Sequence, residues 1–247
     1  MKIQCQDIQN GTTLSAKKKK KKPDAAKASV FTRIGRELAV AVKEGGPDPA
    51  SNSKLRDVIA KAKANNVPND NIDRMLKKAA GETDKEYEEI IYEGYGPNGV
   101  AVIVSTLTDN RNRTAGNIRH YFDKNGGNLG QNGSVMFMFE RKGVIIMSSE
   151  DQDEDAVMMD ALDAGADDFN ADGDVFEIST DPNNVIKVAT ALQEKGYTLE
   201  SAEAAYIPAT TTVLEDEESL FKMNRLLDMM EEDDDVQNVW HSWEQTE

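Results

Sequence analysis

Around Gly81 the hydrophobic period of this chain changes, and the change limits the folds open to it. Before that point apolar residues recur at helical spacing in three successive stretches. Val30, Phe31, Ile34, Leu38 and Val42 form the first, which stops at Gly45-Gly46-Pro47, a C-cap followed by a breaker. Leu55, Val58, Ile59 and Ala62 form the second, ahead of Asn65-Asn66. After Pro68, Asn69 can cap a third stretch whose apolar face is Ile72, Met75, Leu76 and Ala79. The spacing predicts a three-helix domain over residues 29–81. Residues 1–28 offer almost nothing to bury and carry an unbroken lysine run, so they read as a disordered, lysine-rich arm.

Beyond residue 86 short strand patterns alternate with helical ones. Residues 88–93 and 100–107 read as a strand pair, followed by a helix over Arg111–Lys124 with Ala115, Ile118 and Phe122 inward. Residues 134–140 and 144–148 read as a hairpin around Arg141-Lys142-Gly143. A helix over 153–164, a strand over 175–179, a helix opened by Asp181-Pro182 and a strand over 198–206 complete a ββαβαβ unit. The last segment predicts a strand over 210–214, a helix over 216–230 and a strand over 235–240. That closing βαβ has no opening hairpin of its own, whereas residues 86–124 form a ββα without a βαβ. Joined, the two make a second ββαβαβ. The expected architecture is therefore multidomain α+β, with a three-helix domain ahead of two ββαβαβ-type domains. The first α+β domain is discontinuous, over 82–131 and 208–247, and the second, over 132–207, is inserted in it.

Charge divides along the same line. Residues 1–80 hold 18 of the 29 Lys and Arg but only 8 of the 45 Asp and Glu, a net of +10, which leaves −26 for the other 167 residues. The overall −16 and a pI near 4.6 conceal a basic module fused to an acidic body. The lone Cys5 precludes an internal disulfide, and together with His120 and His241 it cannot build a structural zinc site. No 7–15-residue apolar core suggests a signal peptide, and the longest apolar run, Val100 to Val104, cannot span a bilayer. The expectation is a cytoplasmic protein with no membrane partner.

Several motifs suggest chemistry that their surroundings do not support. Gly94-Tyr95-Gly96-Pro97-Asn98-Gly99 matches G-x-G-x-x-G, but a dinucleotide site needs that loop to open a helix, and here a strand follows. Residues 168–174 resemble the first half of an EF-hand loop, yet the twelfth position is Ser179 instead of Glu, so an acidic surface turn fits better. Neither histidine has a partner suggesting a catalytic triad, so no catalytic residue, cofactor or metal is expected. More informative is Thr108-Asp109-Asn110-Arg111-Asn112-Arg113-Thr114. Asp109 or Asn110 can cap the following helix, but Arg111 and Arg113 then oppose the helix dipole in its first turn. Either a phosphate binds there, or the two arginines pair with nearby carboxylates. The glycine-rich segment 125–133 allows close backbone approach to a ligand or serves as a linker.

The charge footprint names the candidate nucleic-acid contacts. They are Lys17, Lys18, Lys19, Lys20, Lys21, Lys22, Lys27, Arg33, Arg36, Lys43, Lys54, Arg56, Lys61, Lys63, Arg74, Lys77 and Lys78, with Arg111 and Arg113 as secondary phosphate contacts. Phosphate contacts position a protein without specifying a sequence, so no target site is implied. About five neutralised phosphates would give a log–log salt slope near −4.5 on duplex DNA.

From Val30 to the C-terminus the chain resembles the YebC/PmpR family of gene-expression regulators. The resemblance is densest at residues 42–49, 92–100, 108–114, 124–130 and 139–143, several long blocks in the same order. It implies three domains, a helical one and two α+β ones, without catalytic activity or a required cofactor. It also implies either a DNA-binding transcriptional regulator or a ribosome-associated translation factor that helps synthesis through proline-rich stretches. The family's opening Gly-His-Ser-Lys-Trp-like motif has no counterpart here, where the lysine run follows residues 1–16, so contacts carried by that motif are not transferred. The expected partner is DNA or RNA, ribosomal RNA included, and the expected state is a monomer or a weak dimer.

Overall fold

The structure, a computed structural model, describes residues 23–64, 67–81 and 86–244. Three helices come first: α1 (Pro23–Gly45), α2 (Ser53–Ala64) and α3 (Asn69–Gly81). α1 starts at Pro23, earlier than the arm boundary expected at residue 28. The helix-forming Ala25 and Ala26 suit the helical structure that residues 23–28 adopt. Ile34, Leu38, Leu55, Val58, Ala62 and Ile72 form the core of this helical unit. Asn52 binds its first two helices into one corner. Its buried side chain donates to the carbonyls of Ala41 (2.7 Å) and Gly46 (2.8 Å) and accepts from the N–H of Leu55 (3.0 Å), so it satisfies the end of α1 and the start of α2 together. A Cβ at Gly45 would lie 2.6 Å from that carboxamide, which is why the corner needs glycine.

The rest of the chain builds two antiparallel four-stranded sheets. In the first, β1 (Glu88–Tyr95) and β2 (Ala101–Thr108) form a hairpin. β3 (Asn128–Leu129) pairs outside β1, and β9 (Val236–His241), from near the other end of the chain, pairs with β2. β2 is buried along its whole length, as its run Ala101-Val102-Ile103-Val104 requires. Helices α4 (Arg111–Lys124) and α7 (Glu217–Glu232) cover one face, and Val102, Val104, Ile118, Phe122, Met223, Leu226 and Val236 pack between them and the sheet. Segments on both sides of residues 130–208 thus share one sheet and one core. β8 (Thr212–Val213) is shorter than the strand expected over 210–214 and lies outside this sheet, pairing in parallel with β10 (Trp243–Glu244).

The second sheet has strand order β5-β6-β4-β7, from β4 (Phe139–Ser148), β5 (Asp168–Asp172), β6 (Val175–Thr180) and β7 (Ser201–Pro208). Helices α5 (Glu154–Ala164) and α6 (Val185–Glu194) pack against it over Ile145, Met147, Val157, Phe176, Ile178, Val188 and Leu192. The class is α+β as expected, but the order of elements here is βαββαβ, with every neighbouring strand pair antiparallel. The hairpin expected around residues 141–143 is instead one uninterrupted strand. Arg141, Lys142 and Gly143 continue the ladder opposite Tyr206, Ala205 and Ala204. Gly143 is there for closeness, because a Cβ would sit 2.8 Å from both Thr180 and Val185. The hairpin lies later, where β5 and β6 meet at Gly173 in a left-handed conformation (φ +55°). The EF-hand-like residues are this strand pair.

Between the sheets, the crossing segment is held by Glu93. Its buried carboxylate accepts N–H bonds from Gly133 (2.6 Å), Val135 (2.9 Å) and Met136 (2.8 Å). Burial would raise its pKa, but the three donors hold it below the ordinary value. The glycine-rich segment 125–133 therefore approaches the chain's own β1, with Gly94 opposite Leu129, and serves as a structural crossing. The G-x-G-x-x-G residues close the β1–β2 hairpin through a 3-10 turn at Pro97–Gly99.

Candidate nucleic-acid interface

The predicted basic residues divide into an inner and an outer set. The inner set converges on Asp235, at the start of β9. Asp235 is nearly sealed from solvent, its side chain 4% exposed. It accepts from Arg36 Nη1 (2.7 Å), Arg113 Nη2 (2.8 Å), Thr114 Oγ1 (2.7 Å) and Thr108 Oγ1 (3.2 Å). Burial pushes its carboxyl up, but the hydrogen bonds from Arg113, Thr114 and Arg36 outweigh burial and bring it down to about 2. The same partnership raises Arg113 well above the usual guanidinium value, first through Asp235 and then through Asp109, which lies 2.8 Å from Nη2.

This arrangement shows what surrounds the two arginines in the first turn of α4. Asn110 is the N-cap, its side chain accepting from the N–H of Arg113 at 3.1 Å. Asp235 and Asp109 supply the negative charge near the helix start, and the exposed Arg111 pairs with Glu88 at 3.2 Å. Of the two readings offered by the sequence, carboxylate pairing is the one the geometry displays. Sequence patterns did not single out Asp235, because it ends the acidic run Glu231 to Asp235, which resembles a solvated stretch. The available signal was indirect: two arginines against a helix dipole require an anion, and here the anion comes from the chain itself.

Arg36 also donates to the carbonyl of Leu107 (2.7 Å) and lies 5.7 Å from the ring centre of Tyr87, so α1 is tied to the first sheet. Arg33 donates to the carbonyl of Glu231 (3.3 Å), and burial lowers its pKa. Lys61 joins α2 to the second sheet, 2.9 Å from Glu37 and 3.9 Å from Glu203. Burial opposes its charge, yet the two carboxylates hold its pKa above the usual value.

The outer set is different. Lys63 on α2 and Arg74 and Lys77 on α3 are exposed and have no ion pair among the described residues. Arg74, Lys77 and the exposed Lys78 are spaced i, i+3, i+4, which places them on one face of α3. Lys43 pairs with Glu86 (3.0 Å), and Lys54 pairs with Glu44 (2.7 Å). The exposed Arg56 donates to the carbonyls of Pro49 (2.8 Å) and Ala50 (3.0 Å). Lys17, Lys18, Lys19, Lys20, Lys21 and Lys22 lie outside the described residues, and Lys27 belongs to the opening turns of α1.

The comparisons agree with this build. Residues 15–82 match the TACO1/YebC protein N-terminal domain, and residues 87–243 match the TACO1/YebC second and third domain. A helical unit followed by two α+β units is the class, and the chain belongs to the TACO1/YebC family. A relative from Acetivibrio thermocellus, named a probable transcriptional regulatory protein, is 58% identical over 229 residues, covering 92% of this chain and 95% of the relative. One from Ruminiclostridium cellulolyticum with the same name is 57% identical over 233 residues, covering 94% of each chain. The crystal structure of a conserved hypothetical protein from Aquifex aeolicus superposes with a TM-score of 0.80 at 42% identity, covering 91% of this chain and 93% of that one.

Proposed function

We propose that this chain is a non-enzymatic regulator of gene expression that binds nucleic acid through the outer face of its helical unit, as a DNA-binding transcriptional regulator. The observation that carries this reading is the stripe of Arg74, Lys77 and Lys78 on α3, with the lysine run that precedes α1 in the sequence. The names of the relatives support the regulatory role. Phosphates attract such a face without further chemistry, and release of counterions from the polyanion supplies the binding energy. The net −26 beyond residue 80 repels the same polyanion and confines it to the helical end.

The inner cations have a second role in this reading. Arg33, Arg36 and Lys61 fix the helical unit against both sheets, so a nucleic acid on its outer face is held in a set orientation relative to the acidic body. The test is fluorescence anisotropy of the full chain with duplex DNA and with structured RNA across a salt series. Binding that weakens steeply with salt is the expected result, and no binding to either polymer at low salt would sink the proposal. Preference for structured RNA over duplex DNA would move the site of action from a promoter to the translation machinery.

A further inference from the structure

A cleft of about 360 Å³ opens where the three units meet, between α1 and α2, the helix-free face of the first sheet, and α6 with β7. That volume lies within the range of small-molecule sites, and much of the wall is aliphatic. The notable residues come from β9. The ladder with β2 shifts register between Ser105 and Thr106: Asn238 lies opposite Ser105 and Val236 opposite Thr106, leaving Gln237 as an extra residue. Val236 and Val239 both pack into the helix-side core, so the bulge turns Gln237 and Asn238 together toward the cleft.

Gln237 is only 6% exposed, and both its Nε2 and its Oε1 lack a hydrogen-bond partner. A buried carboxamide left open at both ends is costly and uncommon. Beside it the rings of Tyr206 and Trp240 meet edge to face, with centres 4.9 Å apart, and both line the cleft. The half-buried charges here, Glu37, Lys61 and Glu203, are engaged with one another, and the other charged lining residues are exposed. The groups left to recognise a ligand are thus the carboxamide of Gln237, a paired donor and acceptor, with that of Asn238 next to it, beside aromatic surface.

We infer that this cleft binds an adenine base. A glutamine carboxamide matches the N6 donor and N7 acceptor of adenine in one plane, and aromatic rings provide the stacking surface that bases seek. The base belongs either to a free nucleoside or to a nucleotide splayed out of a single strand. The inference stands apart from the polyanion reading, because none of the recognising groups lies on the outer face of α2 or α3.

Trp240 is one of only two tryptophans, so emission reports on the site. The full chain is titrated with adenosine, with uridine, and with a short oligoadenylate at a salt concentration that screens phosphate contacts. Saturable quenching by adenosine but not uridine is expected, and Gln237→Leu, similar in shape without the polar edge, should weaken it roughly 5- to 150-fold. Quenching by the oligoadenylate alone, equally lost in Gln237→Leu, assigns the base to a strand. If Gln237→Leu does not fold, the side-chain amide resonance of Gln237 in the unaltered chain replaces it and should shift on adding the ligand that quenches. Unchanged emission and amide resonance with both adenine ligands, or equal binding by Gln237→Leu, overturns the inference. Salt-dependent binding of duplex DNA should be the same in Gln237→Leu, so this site and the outer cationic face can fail separately.

Discussion

Two sets of cations on the same three helices have opposite fates. Arg33, Arg36 and Lys61 face inward and hold carboxylates or carbonyls of the acidic body, whereas Lys63, Arg74 and Lys77 face solvent without ion pairs among the described residues. The +10 of this region therefore combines two quantities. One part joins the modules, and the other is available to a polyanion. A regional charge sum reveals that a basic module exists but overstates its binding surface, because a buried ion pair and an exposed lysine count equally in it.

The sharpest way to break the comparison is at Asp235. Asp235→Asn removes the charge that Arg36 and Arg113 share and leaves two guanidinium groups facing a neutral amide. The expected loss is about 2–3 kcal/mol in a urea titration, because the two guanidinium groups left behind are partly exposed, without change in the salt dependence of DNA binding. A parallel fall in that salt dependence would show that the inner cations also touch phosphate. Acid exposes the same contact in the unaltered protein. The carboxyl of Asp235 lies near 2 when folded, below its ordinary value of 3.8. Its contribution is thus complete above about pH 4 and disappears as pH falls toward 2, about 2–3 kcal/mol in all. The stability profile of Asp235→Asn should lack this component, whereas equal acid sensitivity in both proteins would assign the loss to other carboxylates.

Much of the architecture was legible because it follows from period and punctuation. The Arg111–Lys124 helix needs only Asn110 as a cap and Ile118 and Phe122 on one face, all local features. That the last strand belongs with the first α+β unit was legible from the count of elements, since one unit lacked what the other end of the chain supplied, although its pairing with β2 was not. Two features ran against local rules. Gly143 looks like a turn residue, but it lies inside a strand because Thr180 and Val185 press against it, a proximity invisible in the linear chain. Residues 168–172 look like a loop because an edge strand needs little apolar content. At the candidate interface the residue types were legible but their partners were not. Arg36 and Asp235 are 199 positions apart, and nothing local tells a lysine that pairs with Glu203 from one that faces water.

Lys61 tests the middle ground, since it is partly buried and holds Glu37 and Glu203 together across two units. Lys61→Ala is expected to cost about 1 kcal/mol of stability in thermal unfolding, the upper end for partly exposed pairs. Its effect on the salt slope should be negligible. The outer residues should behave in the reverse manner. Lys63→Ala, Arg74→Ala and Lys77→Ala remove no ion pair among the described residues, so each is expected to change stability by no more than about 0.5 kcal/mol. Every phosphate that is no longer neutralised lowers the log–log salt slope by about 0.9 on duplex DNA, so the slope of the triple variant should be smaller by about 2.7. Anisotropy titrations at several salt concentrations read this directly. An unchanged slope in the triple variant, set against a changed one in Lys61→Ala, would reverse the assignment of inner and outer faces. The reversal would mean that the helical unit must swing away from Asp235 and Glu203 to expose the cations that bind, so that joining the modules and binding the polyanion compete for the same side chains.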